Sequence, residues 1–283
     1  MKLLSYQRQG QASWGLLSED GGVIDGPPLT QGRYPSLRAA LQAQALPDIA
    51  HAARGRAADF GLDDVQLLPV IPDPGKILCV GLNYEEHRRE TQRAPTGEPT
   101  LFLRVASSQV GHGQAILCPA ESHKLDYEGE IAVVIGKRGR RISEADAYGH
   151  IAGYAPYNDA SVRDWQQHTT QWTPGKNFDA TGAFGPWMAT RDEVPDGADL
   201  SLTTRLNGEV VQHASTAQLI FGIARLIHYI SRFATLEPGD VIVTGTPGGV
   251  GFKRTPPLFM QDGDVVEVEV AGVGCLSNRV RAG

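Results

Sequence analysis

The stretch Leu125-Asp126-Tyr127-Glu128-Gly129-Glu130-Ile131-Ala132-Val133-Val134-Ile135 decides the fold. Its second half is apolar at every position and rich in β-branched residues, which predicts a strand buried on both faces. Side chains alternate along a strand, so one continuous strand puts Asp126, Glu128 and Glu130 on one face, continued by Ala132 and Val134. Two or three carboxylates crowded where a core begins cannot all stay ionised without compensation. A bound cation supplies it, and a hard one, because every candidate ligand is oxygen. The competing reading is a salt-bridged structural pair.

A second E-x-E serves as a control. In Val265-Val266-Glu267-Val268-Glu269-Val270 the carboxylates alternate with valines. That is the pattern of a half-buried strand with valines inside and glutamates in water. Glu267 and Glu269 therefore carry no site.

A chain of 283 residues can form one large domain, or a large domain with a small companion. With 41% hydrophobic and 20% charged residues, it has the composition of a packed globular protein. A net charge of -6 argues against nucleic acid or an anionic membrane as partner. The 33 Gly and 18 Pro predict many turns and a strand-rich α+β architecture. Cys79, Cys118 and Cys275 lie far apart with no C-x-x-C spacing, which argues against a disulfide framework and a thiolate zinc site. No apolar run approaches membrane-spanning length, and Met1 to Arg8 lacks the apolar core of a signal peptide. The expected location is cytoplasmic.

Outward from the central stretch, residues 1–70 predict a small N-terminal α/β unit, and residues 71–283 the main domain. Trp14 to Leu17 and Val23-Ile24 flank a hairpin turn at Ser18 to Gly22, and Ser36 caps a helix carrying Leu37, Ala40 and Leu41. Leu67 to Gly75, punctuated by three prolines, reads as the linker. Lys76 to Val80 is a short apolar strand, left by Gly81-Leu82-Asn83-Tyr84 into a polar helix from Glu85. On that helix His87 and Glu90 are three apart and share a face. A histidine with a carboxylate so placed is a candidate general base with its orienting partner. A solvated helix turn with a stray histidine stands against it. Ala94 to Pro99 has the composition of a lid.

Leu101 to Val105, Ala115 to Leu117 and Ile151 to Tyr157 are further strands. The last ends in Asn158-Asp159, where Asp159 is either a third carboxylate ligand or an Asx-turn or helix N-cap residue. Thr173 to Asn177 reads as a loop with Lys176 as a solvated charge. Asn207-Gly208 marks a type I′ hairpin. Thr216 opens a helix with Leu219, Ile223, Leu226, Ile227 and Ile230 on one stripe. Val241 to Thr244 feeds Gly245 to Gly251, a glycine-rich turn without dinucleotide or P-loop spacing. Its backbone N–H groups and threonine hydroxyls suit a small carboxylate. The strand Val265 to Val270 closes the chain.

In this order, Gly81-Leu82-Asn83-Tyr84 with His87, Tyr127-Glu128-Gly129-Glu130, Asn158-Asp159, Gly175-Lys176-Asn177-Phe178-Asp179 and Thr244 to Gly251 resemble the fumarylacetoacetate hydrolase family, from Lys76 onward. The resemblance implies a mixed β-sheet roll, a homodimer, and Mg²⁺ or Mn²⁺ held by Glu128, Glu130 and Asp159. It implies that His87 and Glu90 activate water and that Lys176 is an active-site lysine. One departure is that similar proteins often carry Lys-Pro where this chain has Arg104-Val105.

The expected reaction is hydrolysis of a C–C bond in an acylpyruvate-type β-diketo acid, releasing pyruvate and a carboxylic acid. His87 would deprotonate water, Lys176 would hold negative charge, and Arg163, Gln166 and Thr246 would contact substrate. Decarboxylation, isomerisation or hydration of a related oxo acid on the same fold is the alternative. A cupin-like iron oxygenase using His123 and Glu128 lacks paired histidines. A non-enzymatic Ca²⁺ module is the third reading.

Overall fold

The computed structural model describes residues 1–283. The predicted mixed β-sheet roll is present. The large sheet runs, neighbour to neighbour, through Val23–Asp25, Gln11–Leu17, Lys2–Arg8, Met188–Thr190, Ile151–Asn158, Gly129–Ile135, Val241–Val243, Ile77–Gly81 and Thr100–Arg104. A second sheet, Glu209–Ser215, Ser201–Leu206, Val265–Val270, Gly274–Ala282 and Ile116–Cys118, faces it.

Gly129–Ile135 lies at the centre, antiparallel to Ile151–Asn158 on one side and to Val241–Val243 on the other. Every residue of it is buried, because each face has its own core. Ile131, Val133 and Ile135 pack with Leu202, Leu206, Val266 and Val268 of the second sheet. Ala132 and Val134 pack with Leu3, Trp14, Leu41 and Ile71. Residues of the N-terminal unit thus share this core, and Lys2–Arg8 pairs with Met188–Thr190 to extend the large sheet.

The turns match the sequence pattern. Gln11–Leu17 and Val23–Asp25 form the predicted hairpin, which follows another between Lys2–Arg8 and Gln11–Leu17. Ser36 caps Leu37–Gln42 by accepting from the Ala39 N–H. Asn207 and Gly208 both have positive φ, 53° and 85°, as a type I′ turn requires. In Val265–Val270 the valines at 266, 268 and 270 are buried and the glutamates between them are half-exposed.

Three local expectations are corrected. Thr216–Gln218 forms only a short 3₁₀ turn, and the helix is Ile223–Phe233, so Leu219 lies outside the stripe that buries Ile223, Leu226, Ile227 and Ile230. The chain ends on a further strand, Gly274–Ala282, paired with Val265–Val270. The central stretch is two strands rather than one: Leu125–Asp126 pairs with Ser161–Val162, and the large-sheet strand starts only at Gly129.

Candidate active site

The site gathers where four strands of the large sheet reach the same end. Ile77–Gly81 and Val241–Val243 are parallel and finish there, Ile151–Asn158 also finishes there, and Gly129–Ile135 begins there. Chain reversals at this end hold the functional groups. Leu82 takes a left-handed φ of 60°, and the fully buried Asn83 side chain bridges Thr244 O at 2.7 Å and the Phe221 backbone. This clamp starts the helix Glu85–Glu90, which carries His87 and Glu90.

Glu128, Glu130 and Asp159 are buried, and one carboxylate oxygen from each lies within 4.8 Å of the others. Lys176 reaches between two of them, with Nζ 2.6 Å from Glu128 Oε2 and 2.7 Å from Asp159 Oδ2. Burial opposes the charge of Glu128, yet Arg163 and Lys176 beside it hold its carboxyl down to about 2. Burial likewise opposes the Lys176 ammonium, but Asp159 and Glu128 raise its pKa above the ordinary value. Glu130 is pushed well above the usual range, first by burial and then by Asp159 and Glu128. It has no cation within ion-pair distance and accepts only the Gly245 N–H.

That arrangement fits a hard divalent cation. The donors are three carboxylates, and the buried cations Arg104, Arg163 and Lys176 leave Glu130 uncompensated. Glu128, Glu130 and Asp159 are the residues that would hold such a cation.

His87 is buried, and its Nδ1 lies 2.7 Å from Glu90 Oε1. The second Glu90 oxygen accepts the Gly249 N–H at 3.0 Å. The glycine-rich turn does bind carboxylates, but they are the protein's own: Gly245 N–H serves Glu130, Gly249 N–H serves Glu90, and the N–H groups of Gly251 and Phe252 serve Asp126. One loop therefore sets a triad carboxylate and the orienter of the histidine in register.

His87, Glu128, Glu130, Asp159, Arg163, Gln166, Lys176 and Thr246 line one cavity of about 620 Å³. Asp126 is not among the triad. The break at Tyr127-Glu128 turns it away, and it pairs with Arg163 Nε at 2.8 Å. Arg163, expected as a free substrate contact, is held by Asp126 and, 2.7 Å from Nη2, by Glu128, while Nη1 donates to Gln166. Thr246 donates to Gly129 O and accepts from Gln212. Lys176 sits on a helical turn, Thr173–Lys176, and is buried, so it is not a solvated loop charge. His123 is exposed, which removes the oxygenase reading.

The sequence reading noted Arg104 only as a departure from the family pattern and gave it no role in the site. It is fully buried, with Nη1 2.6 Å from Asp159 Oδ1, and further donates to Ala160 O, Ser108 and Thr181. The signal was alternation: Phe102 and Arg104 share a strand face, and Phe102 lines the cavity.

Fold and site together define a mixed-sheet roll with a polar, carboxylate-lined cavity at one end of its large sheet. The chain belongs to the fumarylacetoacetate hydrolase family, whose C-terminal domain model, "Fumarylacetoacetate (FAA) hydrolase C-terminal", matches residues 76–281. It is 39% identical over 287 residues to the mitochondrial oxaloacetate tautomerase fahd2 of Xenopus laevis, covering 99% of this chain and 90% of that one. Among solved structures, a fumarylacetoacetate hydrolase from Exiguobacterium antarcticum superposes with a TM-score of 0.83 at 36% identity, over 100% of both chains. Maleylpyruvate hydrolase from Sphingobium sp. SYK-6, in complex with manganese(II) and pyruvate, superposes with a TM-score of 0.83 at 29% identity, again over 100% of both. No helix of this chain is long and apolar enough to cross a membrane.

Proposed function

We propose that this protein is a divalent-metal-dependent enzyme that enolises short 2-oxo acids, with keto–enol tautomerisation of oxaloacetate as its reaction. The observation that carries this is the buried His87–Glu90 pair, 2.7 Å apart, on the wall of the cavity that the three carboxylates line. The likeness to oxaloacetate tautomerases supports the choice of substrate.

A cation held by Glu128, Glu130 and Asp159 would supply Lewis-acid polarisation of the 2-oxo group. The chain's own groups do the rest. Glu90 accepts from His87 Nδ1, which leaves Nε2 as the basic nitrogen. That nitrogen takes a proton from the carbon beside the oxo group and returns one to oxygen or carbon. Lys176 adds positive charge where the oxygen gains negative charge. Buried Val80 and half-buried Phe102 and Trp172 line the walls and limit water there.

Hydrolysis of an acylpyruvate is the second reading. A cavity of about 620 Å³ exceeds what a four-carbon acid fills, and the same histidine pair can activate water. In this reading the protein works as a homodimer in the cytoplasm on a small oxo acid. The test monitors oxaloacetate enol decay by ultraviolet absorbance, and acylpyruvates by pyruvate and CO₂ release, all with added Mg²⁺. Enol–keto acceleration without C–C cleavage supports tautomerisation. Pyruvate release without enol–keto acceleration replaces it with hydrolysis.

A further inference from the structure

Four lysine or arginine side chains line the cavity: Arg93, Arg163, Lys176 and Lys253. Two of them are already neutralised by the protein. Arg163 is held between Asp126 and Glu128, and Lys176 between Glu128 and Asp159. Both are buried, and neither can turn to a second anionic group without exposing a carboxylate it now pairs. Arg93 and Lys253 are different: both are exposed, and neither has a carboxylate partner or any side-chain hydrogen bond. They come from separate elements. Arg93 lies just beyond the helix that carries His87, and Lys253 ends the short 3₁₀ turn after the glycine-rich loop.

Phe252 fixes the relation between the inner and outer cations. Its ring lies 4.3 Å from the Arg163 guanidinium carbon and 5.0 Å from Lys253 Nζ. The aromatic face thus keeps the lysine ammonium at the cavity wall. In a chain of net charge -6, two unpaired cations at the exposed rim of a cavity with an acidic floor form a separation of charge along the cavity.

We infer that Arg93 and Lys253 form a distal-carboxylate subsite, which makes the enzyme selective for 2-oxo dicarboxylates over 2-oxo monocarboxylates. The inference rests on the oxo-acid reading above. It adds the chemistry of the far end of the substrate and moves that contact away from Arg163. The oxo-acid end lies toward the carboxylate triad, and the second carboxylate is met at the rim by the two cations that the protein leaves unpaired. Exposed contacts of this kind are screened by salt, so the selectivity falls as ionic strength rises.

The test uses inert binding rather than turnover. The full chain is titrated calorimetrically, in Mg²⁺, with 2-oxoadipate and with 2-oxohexanoate, which differ only in a terminal carboxylate against a methyl group. The expected result is that the wild type binds the diacid about tenfold more tightly, as one or two exposed charge contacts give. In the double variant Arg93→Gln, Lys253→Gln the preference disappears, while the affinity for 2-oxohexanoate stays unchanged. Both residues are exposed, so the fold tolerates the change. Equal binding of the two acids by the wild type, or a preference that survives in the double variant, overturns the subsite alone. Failure of both acids to bind overturns the oxo-acid reading and the subsite with it.

Discussion

Arg104 Nη1 sits 2.6 Å from Asp159 Oδ1, and both side chains are fully buried. The other Asp159 oxygen faces Lys176 Nζ at 2.7 Å. Asp159 therefore offers the triad one oxygen, because the arginine occupies the other. Arg104 is a positioning residue in this account.

Replacing Arg104 by Gln should lower Mg²⁺ affinity by about 10–100-fold, the usual effect of removing a ligand's supporting partner. It should also cost about 3–5 kcal/mol of stability, since Asp159 loses a buried counter-charge. Arg104→Lys should recover part of the stability but not the affinity, because an ammonium cannot reproduce the guanidinium fork. Calorimetry and thermal melts of the two variants check this. Wild-type Mg²⁺ affinity in Arg104→Gln would remove the arginine from the site.

Lys176→Met leaves Glu128 and Asp159 facing each other without the bridging ammonium. Without added metal it should lose about 3–5 kcal/mol, the cost of breaking a buried ion pair. Saturating Mg²⁺ should then raise its melting temperature by more than it raises that of the wild type. Equal melting temperatures of the two proteins in EDTA would show that the ammonium does not compensate the carboxylates.

Gly249 tests the loop that ties base to triad. Its φ is 97°, and a Cβ there would collide with the Val211 carbonyl oxygen. Gly249→Ala should displace the N–H that holds Glu90 and lower kcat by about tenfold to a hundredfold, as small misplacements of a catalytic group do. Mg²⁺ affinity should hold, because Glu130 is served by Gly245 instead. Parallel loss of metal binding and rate would mean that the loop acts as a general scaffold only.

Much of this site was legible because it depends on local pattern. The run Ile131 to Ile135 marked a doubly buried strand, and Glu128 and Glu130 stood out against the alternating control at Glu267 and Glu269, whereas helical spacing made His87 and Glu90 neighbours but left a solvated turn as the plainer reading until the family resemblance singled them out. The hidden part depends on contacts distant in sequence. Arg104 and Asp159 are 55 residues apart, and Gly249 and Glu90 are 159 apart, so no window contains either pair. Asp126 was misplaced because a strand break at Tyr127-Glu128 carries no turn residue that announces it. By pattern alone Lys176 read as a surface charge, and only the family resemblance made it an active-site lysine, because Pro174-Gly175 signals a loop, whereas Gly175 lets the chain pack against Gln166 and carry the lysine inward.

The most direct test of the central claim, that His87 is the base acting beside a metal held by the triad, is the rate of oxaloacetate enol–keto conversion in His87→Ala at saturating Mg²⁺. Calorimetric Mg²⁺ affinity is measured on the same samples. The account predicts a fall in rate of about 10²–10⁴-fold, the usual worth of a general base, with Mg²⁺ affinity unchanged. A wild-type rate in His87→Ala, with the metal bound, would contradict it.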